Sequence, residues 1–158
     1  MKFRIERATT LDLSLMQRLF YQTVTIYGSK IFTKSEIKEY SKLARNKEYW
    51  KKKFVTDYIY NAKLNGEIIG SFLLNRDGTI DYIFVHQNYQ GHGIAMELYK
   101  TLEKVAKESG IQTLTTKINA ITKPFFEKKG FTILENVVKS KNGKEIIVHT
   151  GIKNISEI

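Results

Sequence analysis

Val85-His86-Gln87-Asn88-Tyr89-Gln90-Gly91-His92-Gly93-Ile94-Ala95 joins an alternating apolar run to an amphipathic one. The residues before it, Thr79 to Val85, repeat with period two, as a strand does. Those after it place Ile94, Leu98, Leu102, Val105 and Ala106 on one helical face, with Gly110 as the C-terminal stop. A helix leaves its first amides without intrahelical acceptors, at the positive end of its dipole. Glycine lets a ligand approach that backbone closely, so the turn reads either as a structural turn or as a seat for phosphate or pyrophosphate. It is not a dinucleotide-binding GxGxxG, because Met96 stands where the third glycine belongs. It is not a P-loop either, since Gly-Lys-Ser/Thr occurs nowhere.

Working outward, period two also marks Tyr58 to Leu64 and Glu67 to Leu74. Asn65-Gly66 and Asp77-Gly78 are tight-turn pairs, so these two runs and Thr79 to Val85 form an antiparallel meander. Upstream, Phe3 to Arg7 alternates as a strand, and Thr9 with Asp12 resembles a capping box. Leu11, Leu15, Leu19, Phe20 and Val24 then form the expected apolar stripe of a helix ending near Gly28. A second helical region spans about Ser35 to Phe54, with a break at Asn46. Downstream, Ile111 to Ile118 is a strand and Thr122 to Lys129 a short helix stopped by Gly130. Phe131 to Val138 and Glu145 to Ile152 form a last hairpin across Asn142-Gly143. The order predicts a mixed α/β sheet with helices packed on it.

The chain has 158 residues, 42% hydrophobic and 12% aromatic, enough for one domain with a real core and too apolar for a disordered tail. Charges at Lys2, Arg4, Glu6 and Arg7 occupy the place of a signal peptide's apolar segment. The absence of cysteine excludes disulfides and thiolate chemistry. The expected location is therefore cytoplasmic, with no membrane association. His86, His92 and His149 show no metal-ligand spacing, and neither GxSxG nor HExxH occurs, so no metal is expected. The net charge of +10 is uneven: residues 1–56 carry +8, mostly between Lys30 and Lys53. That is either a solvated helical face or a funnel for an anionic partner. Lysine dominates over arginine there, which argues against base-edge readout of nucleic acid.

Gln90-Gly91-His92-Gly93-Ile94-Ala95 resembles the acyl-coenzyme-A signature of the GNAT N-acetyltransferase superfamily. A second match follows: Asn119, Thr122 and Phe125-Phe126-Glu127-Lys128-Lys129-Gly130-Phe131 is similar to that family's Asn-x-x-Ala-x-x-Phe-Tyr-Glu-Lys-x-Gly-Phe. The resemblance covers nearly the whole chain. It implies a mixed, mostly antiparallel sheet of six or seven strands flanked by about four helices. It also implies a strand before the signature that splays from its parallel neighbour, and transfer of acetyl from acetyl-CoA to a primary amine of a small molecule or peptide. By the same resemblance, Phe84 and Val85 offer backbone groups to the pantetheine arm. Amides of Gln90, Gly91, His92, Gly93, Ile94 and Ala95 hold the pyrophosphate, and Asn119 bonds the pantetheine.

One departure stands out: Phe126 occupies the place of the family's proton-donating tyrosine. A phenyl ring packs on the thioester arm but has no proton to give. His149 and Tyr82 are the candidate replacements, with a sheet-surface role as the plainer reading of His149. The alternative function is an acyl-CoA-binding module with weak turnover. Asp81 is the candidate base, expected by alternation to lie on the same side of its strand as Val85. Its plainer reading is a turn-proximal aspartate. The expected assembly is a monomer or a homodimer, since an exposed strand edge near Val148 can pair with a second copy.

Overall fold

The computed structural model describes residues 2–28, 32 and 34–156; of the basic stretch singled out above, Lys30 lies outside the described residues. Seven strands form one sheet: β1 (Arg4–Arg7), β2 (Tyr58–Leu64), β3 (Glu67–Leu74), β4 (Thr79–Val85), β5 (Thr113–Ile118), β6 (Thr132–Lys139) and β7 (Glu145–Asn154). Their spatial order is β1-β2-β3-β4-β5-β7-β6, and only β4 and β5 pair in parallel. The helices are α1 (Leu13–Gln22), α2 (Lys34–Arg45), α3 (Lys47–Thr56), α4 (Ile94–Glu108) and α5 (Lys123–Lys128). The mixed α/β class and the mostly antiparallel sheet agree with expectation. Among the described residues the α-helices number five because Asn46 divides the second helical region, its side chain accepting from the Tyr49 amide at 3.1 Å.

Two apolar layers cover the sheet. On one face α4 sets Ile94, Leu98, Leu102 and Ala106 against Ile69, Phe72, Ile80 and Leu114, with Phe126 and Phe131 joining from the α5 region. On the other, Met16, Leu19 and Trp50 of α1 and α3 cover Ile59, Ile68 and Leu73. The stripe expected for α1 is corrected here. Leu11 is 90% exposed and Leu15 is also exposed, whereas Met16, Leu19 and Val24 are buried. A 3-10 turn at Thr10–Asp12 precedes the helix and turns Asp12 inward. There Asp12 accepts from Lys63 Nζ at 2.7 Å and from the Thr9 amide at 3.0 Å, and this polar anchor sets the phase of α1.

The parallel join is short. Thr79 and Ile80 pair with Thr115 and Thr116, and no later residue of β4 pairs with β5. Gly78 fixes the closed end: at φ +95°, a Cβ there would sit 2.1 Å from the Thr113 carbonyl oxygen. The Gly78 carbonyl itself accepts from the Thr115 amide at 3.0 Å. Just beyond the join, the register of β4 against β3 shifts between Tyr82 and Ile80, which makes Asp81 a bulge residue. From there β4 stays with β3 while β5 continues with β7 as far as Ile118–His149, so the two parallel strands part like a wedge.

Candidate active site

The wedge has a defined polar edge. His86 N donates to Ile69 O at 2.7 Å, and pairing runs unbroken from Val85–Gly70 to Tyr82–Leu73. In an antiparallel ladder alternate residues bond the same neighbour. His86, Phe84 and Tyr82 therefore spend their backbone groups on β3, and those of Ile83 and Val85 face the side that β5 has left. Phe84 was expected to share this role with Val85; the register assigns it to Ser71 of β3 instead, and Ile83 takes its place. The Phe84 ring packs with Phe20 and Tyr82 on the α1–α3 side.

At the open end of the wedge stands the glycine turn. Gly91 and Gly93 adopt φ +81° and +77°, and a Cβ built on either meets no atom within 4 Å. Gln90 and His92 are exposed, and Ile94 is buried as the first anchor of α4, with Ala95 beside it half-buried. The first amide bonded into the helix is that of Glu97, to Gly93 O at 3.2 Å. Among the described residues, none accepts from the amides of Gly91 to Met96. Six successive donors with open space above two left-handed glycines fit a diphosphate. Across the wedge, Asn119 Oδ1 accepts from the amides of Ile121 and Thr122, both at 2.9 Å, and so starts α5. Its Nδ2 bonds no described residue and remains a free donor.

The candidate proton-transfer residues do not form one cluster. The bulge overturns the alternation argument for Asp81: its carboxylate lies on the α3 side, whereas Val85 packs towards α4. Oδ2 accepts from Tyr49 OH at 3.2 Å and lies 3.6 Å from Lys53 Nζ, while Oδ1 accepts from Asn75 Nδ2 at 2.6 Å. Lys53 also bonds Asn75 Oδ1 at 2.5 Å and lies 3.6 Å from Asp57. Lys53, Asp57, Asn75 and Asp81 border an open cleft of about 500 Å³ that also reaches Arg76, Asp77 and Thr79. Burial pushes the Tyr49 phenol up, and the Asp81 charge and hydrogen bond push it further.

Tyr82 shares that side of the sheet. Its ring lies among Phe20, Trp50 and Phe84, and its hydroxyl is 3.1 Å from Ser71 Oγ. Burial drives its pKa upward against the Ser71 hydrogen bond, with Tyr49 and Asp81 adding to the rise. His149 belongs to the opposite face. A Cβ on Gly151, in phase with it on β7, would meet Ile118 and Phe131, and Lys153, in phase again, reaches Tyr99 and Glu103 of α4. His149 Nε2 lies 3.2 Å from Glu135 Oε1, and the residue pairs with Ile118, the last of β5. Phe126 is only 2% exposed and packs edge-on against Phe125 and Phe131.

Sequence reasoning missed Tyr49, Lys53 and Asn75 as the holders of Asp81. Nothing local marks Lys53, the third lysine of a run. Among the described residues, no three His, Asp or Glu side chains are placed to hold a metal, and no helix is long and apolar enough to cross a membrane.

Comparison with known proteins agrees with this geometry. Residues 25–131 match the model of the acetyltransferase (GNAT) family. An uncharacterized N-acetyltransferase of Escherichia coli K12, YafP, is 28% identical over 120 residues, 76% of this chain and 75% of that protein. A GCN5-related N-acetyltransferase from Rhodopseudomonas palustris superposes with a TM-score of 0.82 at 21% identity, covering 98% of this chain and 96% of that one. PaiA N-acetyltransferase from Thermoplasma acidophilum, solved with coenzyme A, gives 0.78 at 17% identity over 98% and 99%. YncA from Salmonella typhimurium, solved with its cofactor acetyl-CoA, gives 0.73 at 16% identity over 100% and 96%.

Proposed function

The chain belongs to the acetyltransferase (GNAT) family, and from that premise we propose that it moves acetyl from acetyl-CoA to a primary amine of a small molecule or peptide. The observation that carries this reading is the wedge. Parallel pairing ends at Ile80–Thr116, and the wedge opens towards the unpaired amides of Gly91 to Met96. Ile83 and Val85 line the pantetheine arm as an added strand would, Asn119 Nδ2 donates to it, and the glycine turn holds the diphosphate. PaiA and YncA, whose solved structures carry coenzyme A and acetyl-CoA, lend the ligand its identity.

In the transfer, the amine nitrogen bonds to the thioester carbonyl carbon, the carbon–sulfur bond breaks, and the thiolate takes a proton. The protein supplies orientation and proton traffic. Asp81, fixed by Tyr49 and Asn75 beside an open cleft, receives the ammonium's proton. His149, beside the last residue of β5, returns a proton to the thiolate, with Glu135 orienting its ring. Tyr82 is the poorer donor, because burial holds on to its proton. Phe126 closes the aromatic floor and takes no part in proton transfer.

Thiol release from acetyl-CoA, followed across a panel of amines, tests the proposal. Saturable release that depends on both the amine and the protein supports it. A protein stabilised by coenzyme A that releases no thiol with any amine is instead a binding module.

A further inference from the structure

The β6–β7 hairpin runs past the end of β5. Pairing with β5 stops at His149, while β6 and β7 stay paired through Lys139–Glu145, so residues 136–139 and 145–148 form a two-stranded ribbon with β6 as a bare edge. This ribbon is apolar on both faces. Val137 and Ile147 pair on one face and are 65% and 63% exposed; Val138 and Ile146 pair on the other and are also exposed, with Leu134 further back. An unpaired edge bearing apolar side chains on both faces is a template for another strand.

The edge specifies which strand. Ser140 N donates to Lys144 O at 2.8 Å, so Ser140 and, by alternation, Val138, Asn136 and Leu134 bond to β7. The amides and carbonyls of Glu135, Val137 and Lys139 therefore point outward. Two copies of β6 pairing antiparallel about a two-fold axis bond through these residues when the axis falls on one of them; an axis at Asn136 or Val138 also pairs them, but sets Val137 against the charged Glu135 or Lys139 of the other copy. An axis at Glu135 sets Glu against Glu, and an axis at Lys139 sets Lys against Lys. With the axis at Val137, Val137 meets itself and Glu135 meets Lys139 of the other copy, twice. Directly opposed residues of an antiparallel pair share a face, so both ion pairs flank an apolar row of Val137 and Ile147 from each copy.

We propose that the protein forms a two-fold dimer by antiparallel β6–β6 pairing centred on Val137, joining two seven-stranded sheets into one. The charges that normally protect an edge strand are here arranged to complement a second copy of themselves.

Mass measurement by sedimentation across a dilution series tests this. Wild type is expected to be a dimer. Glu135→Lys faces lysine with lysine at both ends and is expected to weaken association roughly tenfold or more. Adding Lys139→Glu reverses both charges and restores it. The chain has no cysteine, so Val137→Cys gives a direct check of register: oxidation cross-links it to its own counterpart, while Glu135→Cys stays uncrosslinked. Far-ultraviolet circular dichroism of each variant confirms folding. A monomer at every concentration, a dimer indifferent to Glu135→Lys, or cross-linking at 135 rather than 137 overturns the proposal.

Discussion

Ile80 and Tyr82, two residues apart on β4, face opposite sides of the sheet: Ile80 lies in the α4 layer and Tyr82 beneath α1 and α3. The extra residue between them, Asp81, absorbs the change of phase. It sits one position past the last parallel pair with β5. One irregularity thus parts the strands and turns a carboxylate towards Tyr49 and Lys53. Without the bulge, Asp81 would have faced α4 with Val85.

Cofactor binding at the glycine turn is tested by Gly91→Val and Gly93→Val. Each forces a branched side chain into a left-handed backbone, costing about 1–2 kcal/mol of stability. Each also puts atoms into the space above the free amides. Coenzyme A at a hundredfold excess over its dissociation constant should raise the wild-type melting temperature by roughly 5–10 °C. Neither variant should respond.

The proton donor is tested by kinetics. His149→Gln should lower kcat by about 10² or more, with the KM for acetyl-CoA unchanged. Tyr82→Phe should leave kcat within about threefold, despite loss of the Ser71 contact. The reverse pattern would place the donor on the α1–α3 side.

The pH dependence of stability should report the buried pair behind α1. Burial pulls the Asp12 carboxyl up, but the Lys63 hydrogen bond and charge and the Thr9 amide outweigh it and hold it below its ordinary 3.8. A carboxyl depressed by folding contributes stability that is complete above its unfolded value and lost as pH falls through the folded one. Lys63 is raised above its ordinary 10.5, first by its hydrogen bond to Asp12. Its contribution is complete below that value and lost as pH rises through the higher one. Asp12→Ala should cost about 1–3 kcal/mol near neutrality, read as a fall of several degrees in melting temperature. The gap to wild type should close in acid as Asp12 itself becomes protonated.

The three consecutive lysines should separate. Lys51 lies 4.0 Å from Glu48 and is largely exposed, Lys52 is exposed, and Lys53 is held among Asp57, Asn75 and Asp81. Lys51→Gln with Lys52→Gln should leave melting temperature unchanged, whereas Lys53→Gln should lower it. Changing all three should keep coenzyme A affinity within about twofold, because the phosphates are held by backbone amides instead. Isothermal titration calorimetry would read the affinities.

The strands, the hairpin turns and the glycine turn were legible in the sequence because each rests on local chemistry: period-two alternation, Asn-Gly and Asp-Gly pairs, a strand running into Gly-x-Gly. What misled was phase. Asp12 displaced Leu11 from the inner face of α1 because a charge partner 51 residues away holds it. The bulge at Asp81 reversed a parity that alternation takes as continuous. Ile83 was not legible, since the register running back from the Asp77-Gly78 turn, where Asn75 N bonds Thr79 O, would give Ile83 and Val85 to β3, and the bulge reverses it. The ring of donors around Asp81 was not legible either, because Tyr49 and Lys53 reach Asp81 only once α3 is folded against β4.

Residue-resolved amide hydrogen exchange, with and without saturating coenzyme A, tests most directly whether the parting of β4 and β5 is the acyl-carrier seat. Bound ligand should slow exchange at Ile83, Val85 and Gly91 to Met96, while the amides of Lys51 to Lys53 stay unchanged. Unaltered exchange at those wedge and turn amides, or protection confined to another part of the sheet, would contradict the account.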